Sequence, residues 1–165
     1  MFEVLDAALE RAAALGSAEV EVYGERSTSR RVKVYGGEVE QLTAARRSGL
    51  GVRVVRAGAA GYAYTSELSP HGVDTVVRRA YDHAAVSDAD EFVALPDPGG
   101  PPADVDPYDA RVEGLSDGAR VDLALAVEAA ARAADPRVKN VEDTVYADGE
   151  GEVFLASTTG VRGSY

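Results

Sequence analysis

The sequence predicts an α+β fold, a mostly antiparallel, twisted sheet with about three helices packed on it. Three observations carry this. Between Ala18 and Thr65 the hydrophobic residues recur with a period of two, interrupted by glycines. Three other stretches, near 2–15, 70–85 and 117–134, carry apolar or alanine-rich stripes at helical spacing. Two further short apolar runs follow the last of these.

Residues 2–15 place Leu5, Ala8, Leu9 and Ala12 on one helical face, and Gly16 is a natural stop. Ala18, Val20 and Val22 then alternate with Glu19, Glu21 and Tyr23, as in a half-buried strand. Val32 and Val34 alternate with Arg31, Lys33 and Tyr35 in a second strand. Gly36-Gly37 turns the chain, and 39–42 continues on the other side. Ser48-Gly49 marks another turn, 52–55 a strand, Gly58 a break and 61–65 one more strand. Short strands joined by tight glycine turns predict an antiparallel meander.

Ser69-Pro70 is a helix start, a hydroxyl cap followed by a residue whose missing N–H costs nothing in the first turn. Val73, Val76, Val77, Ala80, Tyr81, Ala84 and Ala85 then form an unbroken i, i+3, i+4 stripe. From 87 to 115 the acidic, proline and glycine residues predict a long loop, functional or mobile. Phe92, Val93 and Leu95 are expected to pin its start to the core. Ser116 or Asp117 caps a third, alanine-rich helix that Asp135-Pro136 ends. Runs 138–146 and 153–156 read as a last hairpin around Asp148-Gly149. The phrase 159–165 reads as the start of another strand with nothing to pair it, which predicts that these residues are a fragment of a longer chain.

Composition narrows the chemistry. The 165 residues hold no cysteine, which removes disulfides, cysteine–zinc sites, iron–sulfur clusters and thiol nucleophiles within this chain. No apolar run approaches the roughly 20 residues of a membrane span, and the first residues lack the basic and apolar regions of a signal peptide, so a cytoplasmic protein is expected. The net charge of −11 argues against nucleic acid, whose binding is mostly phosphate neutralisation. The charge is uneven, since the stretch from Arg26 to Arg56 carries +6.

No catalytic constellation can be assembled. His71 and His83 lie twelve residues apart. That is a rotation of roughly 120° on one helix, so they do not aim at a common ion. Asp104, Asp106 and Asp109 resemble the start of a calcium loop but lack its tight-turn glycine, and a solvated acidic loop is the expectation. No serine sits in a G-x-S-x-G elbow, and Gly49-Leu50-Gly51 lacks the third glycine of a dinucleotide fingerprint. The remaining candidates are Arg31, Lys33 and Arg53, which face away from their valine neighbours. They read as contacts for an acidic partner or a peptide carboxylate, or simply as the wet face of a one-sided sheet.

Several phrases together resemble the TldD/PmbA family of metallopeptidases. They are 35–40 (YGGEVE) with Gly37 and Glu38, 48–54 (SGLGVRV) with Gly49, Gly51 and Arg53, and 61–69 (GYAYTSELS) with Gly61 and Tyr62, followed by the capped helix. The phrases 92–98, 104–109 and 134–140 are more similar to the PmbA (TldE) branch than to the TldD branch. The resemblance implies that residues 1–165 are the N-terminal domain of such a subunit, helping to form a cavity that admits unfolded peptides. It implies a heterodimer with a TldD-type subunit, or a homodimer. Zinc, held by an H-E-x-x-x-H motif, is expected in that partner or in a C-terminal domain, with no cofactor, catalytic residue or metal ligand in this chain. The alternatives are a non-enzymatic dimerisation module, a TldD-like catalytic subunit whose zinc site lies beyond residue 165, and a small-ligand binder.

Overall fold

Residues 1–100 and 108–165 are described by the computed structural model of the chain. The elements run α1 (Phe2–Leu15), β1 (Glu19–Tyr35), β2 (Glu38–Arg56), β3 (Ala59–Thr65), α2 (Pro70–Val86), α3 (Ala110–Glu113), α4 (Asp117–Ala133), β4 (Thr144–Ser157) and β5 (Arg162–Ser164). The strands form one antiparallel sheet in the order β3-β2-β1-β4-β5. The expected α+β class holds, with α3 a single additional turn.

The two tight turns follow from backbone chemistry. Gly36 and Gly37 have φ of 63° and 84°, the left-handed pair that joins twisted strands in a two-residue hairpin. Ala57 and Gly58, at 51° and 81°, make the same turn between β2 and β3. Ala57 has a Cβ and bears the steric cost of that conformation.

Four expectations need correction. Strand β1 is continuous over 19–35, where two strands were expected, and β2 is continuous over 38–56, with no turn at Ser48-Gly49. None of residues 25–31 in β1 or 38–49 in β2 is buried, and the middle of β1 is polar throughout, so there is no apolar alternation to read across either strand. Strand β4 runs straight through Asp148-Gly149 instead of turning there. A Cβ on Gly149 would lie 3.1 Å from the Thr28 carbonyl oxygen, so glycine serves close backbone approach at this point. The last residues do find a partner, since β5 pairs with β4 as Phe154↔Ser164, Leu155↔Gly163 and Ala156↔Arg162.

Among the described residues the chain divides into two units, 1–26 with 47–100 and 151–165, and 27–46 with 108–150. In the first, α1 contributes Leu5, Ala8 and Ala12, the sheet contributes Val20, Val22, Leu50, Val52, Val54 and Ala63, and α2 contributes Val73, Val76, Val77, Ala80 and Ala84. Burying each Val or Leu contributes roughly 1.5–3 kcal/mol. The Ser69 hydroxyl caps α2 by accepting from the Gly72 N–H at 3.2 Å, as the sequence predicts. Tyr81 Oη donates to the carbonyls of Ala12 and Gly16, tying α2 to the end of α1. Leu95 is buried, and its N–H donates to Glu19 Oε2 at 2.8 Å. Phe92, expected to share that task, is 87% exposed.

The second unit has a smaller core. Val32, Val34 and Ala124 are buried, with Val121, Leu125 and Tyr146 packed against them. Helix α4 starts at Ser116, whose hydroxyl accepts from the Ala119 N–H at 3.1 Å.

Candidate functional site

The motif glycines are placed by packing. On the inner face of β3, a Cβ on Gly61 would lie 2.1 Å from the Ala80 carbonyl oxygen and 2.3 Å from the Ala84 nitrogen, so α2 rests directly on the strand. On the outer face, a Cβ on Gly51 would lie 2.6 Å from Tyr62 Oη, so that ring covers the glycine. Tyr62 is paired across the ladder with Arg53, and Tyr64 with Gly51. Gly49 sits in β2, where a Cβ would meet the Thr65 carbonyl oxygen at 3.5 Å.

The cations singled out from the sequence fall in both units, Arg53 in the first and Arg31 and Lys33 in the second. Arg53 Nε lies 3.4 Å from Glu21 Oε1. Lys33 Nζ lies 2.8 Å from Glu40 Oε2 and 3.3 Å from Asp143 Oδ1, and hydrogen bonds from both push its pKa up. Arg31 is exposed and has no ion-pair partner among the described residues.

Two buried charges on α4 escape a reading of the sequence as an alanine-rich helix. Arg120 and Glu128 are each 2% exposed, and with Ala124 they sit at i, i+4, i+8 on one face. Glu128 holds the β1–β2 turn, with Oε1 accepting from the Gly36 N–H and Oε2 from the Gly37 N–H, both at 2.7 Å. Gly37 and Glu38 therefore belong to a turn clasped by a carboxylate from another element. Arg120 Nε donates to Asp148 Oδ2 at 2.6 Å, and Nη2 donates to the Val112 carbonyl at 2.9 Å. Arg120 Nη1 donates to the Leu115 carbonyl. Tyr146 Oη donates to the same Asp148 oxygen at 2.8 Å. Burial pushes the Asp148 carboxyl up, but the hydrogen bonds from Arg120 and Tyr146 outweigh it and hold the group below its ordinary value. The hydrogen bond to Asp148, with burial, raises the Tyr146 phenol.

Beside this network lies a recess of about 550 Å³ lined by Thr28, Arg30, Ala44, Ala45, Arg46, Leu115, Ser116, Asp117 and Arg120. It lies wholly within the second unit.

Among the described residues no group of three or more His, Asp or Glu side chains could hold a metal ion. His83 Nδ1 donates to the Tyr62 carbonyl at 2.7 Å. Asp109 caps α3 and binds Arg111 Nη2 at 2.6 Å, whereas Asp104 and Asp106 lie outside the described residues. No helix among the described residues is long and apolar enough to cross a membrane.

Comparison with known proteins gives a consistent family. Residues 20–84 match the model described as PmbA/TldA metallopeptidase domain 1, and residues 110–165 match the PmbA/TldA metallopeptidase central domain. No curated protein matches the chain at a significant level. Among solved structures, the fold is similar to a candidate modulator of a DNA gyrase from Thermotoga maritima, with TM-score 0.85 at 21% identity, covering 99% of this chain and 36% of that one. It is similar to TldE from Thermococcus kodakarensis, with TM-score 0.85 at 18% identity, covering 98% and 36%. A candidate modulator of DNA gyrase from Bacteroides thetaiotaomicron gives TM-score 0.86 at 24% identity, covering 99% and 38%. The chain thus spans little more than a third of the length of these structures.

Proposed function

Because this chain belongs to the PmbA/TldD metallopeptidase family, we propose that it is the N-terminal part of a non-zinc, TldE/PmbA-type subunit that helps wall a cavity admitting unfolded peptides. The family match over 20–84 and 110–165 is the observation that carries this reading. The branch assignment draws on the phrases at 92–98 and 134–140 and on the shared fold with an archaeal TldE.

The donor set of the described residues does not fit zinc. His71 and His83 are twelve positions apart on α2, and His83 Nδ1 is committed to a backbone carbonyl. Peptide-bond chemistry therefore falls to a partner subunit of TldD type or to residues beyond 165. What this chain supplies is a surface. Strand β3 is at one edge of the sheet; Ala59 already bridges to Ala89 and the Tyr62 carbonyl accepts from His83, so the stretch toward Thr65 is the part of the edge whose N–H and C=O groups would recognise an extended peptide with little sequence preference. Cations of the arginine-rich strands, Arg31 among them, attract acidic segments of such a peptide to this chain.

The test is a reconstituted pair in which residues 1–165 are deleted from the full-length subunit. Peptide processing should be abolished while the partner keeps its zinc, measured by product mass spectrometry and by metal analysis. Intact processing would refute the cavity role.

A further inference from the structure

The recess in the second unit is defined by what its side chains have left to bind. Arg120 forms part of its lining and is fully engaged by Asp148, Val112 and Leu115, so it contributes shape without free charge. The Ser116 hydroxyl is used as the cap of α4. Arg30, on β1, keeps its side chain mostly buried, 22% exposed; its Nε lies 4.0 Å from Asp117 Oδ1, beyond hydrogen-bond range, and its charge also acts on the Asp148 carboxylate, so no hydrogen bond holds the guanidinium among the described residues. Arg46, on the adjacent strand β2, has no ion-pair or hydrogen-bond partner among the described residues. The Thr28 hydroxyl is likewise without a partner among the described residues. Arg30, Arg46 and Thr28 thus line one cavity together with one carboxylate, Asp117, and Asp148 lies within electrostatic reach of Arg30.

We propose that this recess binds the carboxylate of a peptide through Arg30 and Arg46. The inference rests on the reading of the chain as a peptide-cavity wall and gives that cavity a chemical preference. Guanidinium groups present planar donor pairs that match a carboxylate bidentately. Three arginines, Arg30, Arg46 and Arg120, against two carboxylates, Asp117 and Asp148, leave a local balance of one positive charge, which suits a monoanion, and a polyanion would meet a chain of net charge −11. The volume of about 550 Å³ is that of a ligand site rather than of a single ion. Lys33 and Arg53 are already held by Glu40, Asp143 and Glu21, which leaves the recess as the better-supplied cationic site.

The test is calorimetric titration of the 165-residue chain with three matched alanine–serine hexapeptides. One has a free C-terminal carboxylate, one is C-terminally amidated, and one is amidated with a single internal Glu. The free acid, the Glu peptide or both should bind about tenfold more tightly than the amide, and which one does so identifies the source of the carboxylate. That preference should disappear in Arg30→Gln and Arg46→Gln and fall with added salt. Arg46 is exposed, so its variant keeps the fold, which an unchanged unfolding midpoint verifies. Asp117→Asn should tighten binding of the preferred peptide several-fold by freeing Arg30. Equal binding of all three peptides, an acid preference that survives both arginine substitutions, or displacement by inorganic phosphate more effective than by acetate would overturn the proposal. Loss of processing in the reconstituted pair is a separate readout, so the two readings fail independently.

Discussion

Glu128 gives the sharpest prediction about the second unit. Both its carboxylate oxygens accept backbone N–H groups from the Gly36-Gly37 turn at 2.7 Å, and the residue is 2% exposed. A hydrogen bond to a charged group contributes roughly 1.5–3 kcal/mol. The cost of burying the carboxylate offsets part of this, so the low end applies to each bond. Glu128→Ala should therefore destabilise the protein by about 3 kcal/mol, leaving two turn N–H groups without their acceptor. Glu128→Gln keeps the shape but turns an NH₂ toward one of those donors, and should cost about half as much. For a chain of this size, 3 kcal/mol corresponds to a fall of about 6–12 °C in Tm. Urea unfolding measures the free energy, and amide exchange at Gly36 and Gly37 localises it. Losses below 0.5 kcal/mol for both variants, with unchanged exchange at the two glycines, would refute the reasoning.

Three other outcomes are expected. Gly61→Ala must push α2 off β3, because its Cβ would lie 2.1 Å from the Ala80 carbonyl oxygen, and should cost about 3 kcal/mol in urea unfolding. Ala57→Asn should stabilise by about 0.5–1 kcal/mol by relieving a left-handed alanine at φ 51° in a two-residue turn, read as a rise in the urea midpoint with unchanged m. The Asp148 carboxyl is held below the ordinary aspartate value of 3.8, so its contribution is complete above that pH and is lost as pH falls through the lower folded value. Stability measured from pH 7 to pH 2 should decline chiefly below pH 4, and Asp148→Asn should flatten that decline while lowering stability at pH 7. The exposed pairs Asp6–Arg162, Asp109–Arg111 and Asp135–Arg137 shift in the same direction but add little, because water screens them.

What was legible in the sequence was what burial writes into it. Helix α2 carries its own start at Ser69-Pro70 and an apolar stripe, and both appear in the structure, except that Ala85, expected in the stripe, is exposed. The Gly36-Gly37 turn was legible for a different reason, since two adjacent glycines supply the left-handed backbone it needs. The arms of β1 and β2 were not legible, because Glu25, Arg26, Ser27, Ser29 and Arg31 are polar and exposed and leave no apolar period to detect. Asp148-Gly149 is the commonest hairpin signal, yet here the glycine answers a close approach by Thr28, a fact of tertiary packing. Arg120 and Glu128 left one signal that was available, a pair of charges in register with Ala124 on the face that buries Val121 and Leu125. The partners that occupy Lys33 are half legible. Counting outward from a two-residue turn sets Lys33 opposite Glu40, whereas Asp143 comes from a distant segment. Arg30 and Arg46 do not stand out, because nothing in the sequence says which cations line a recess.

The cavity role is tested most directly by photo-crosslinking. An unfolded peptide bearing a photoreactive residue is incubated with the reconstituted pair of this subunit and a zinc-bearing TldD-type partner, and the crosslinked residues are mapped by mass spectrometry. The account predicts crosslinks on this chain at the edge strand β3, within Ala59–Thr65. Crosslinks confined to the partner would contradict it.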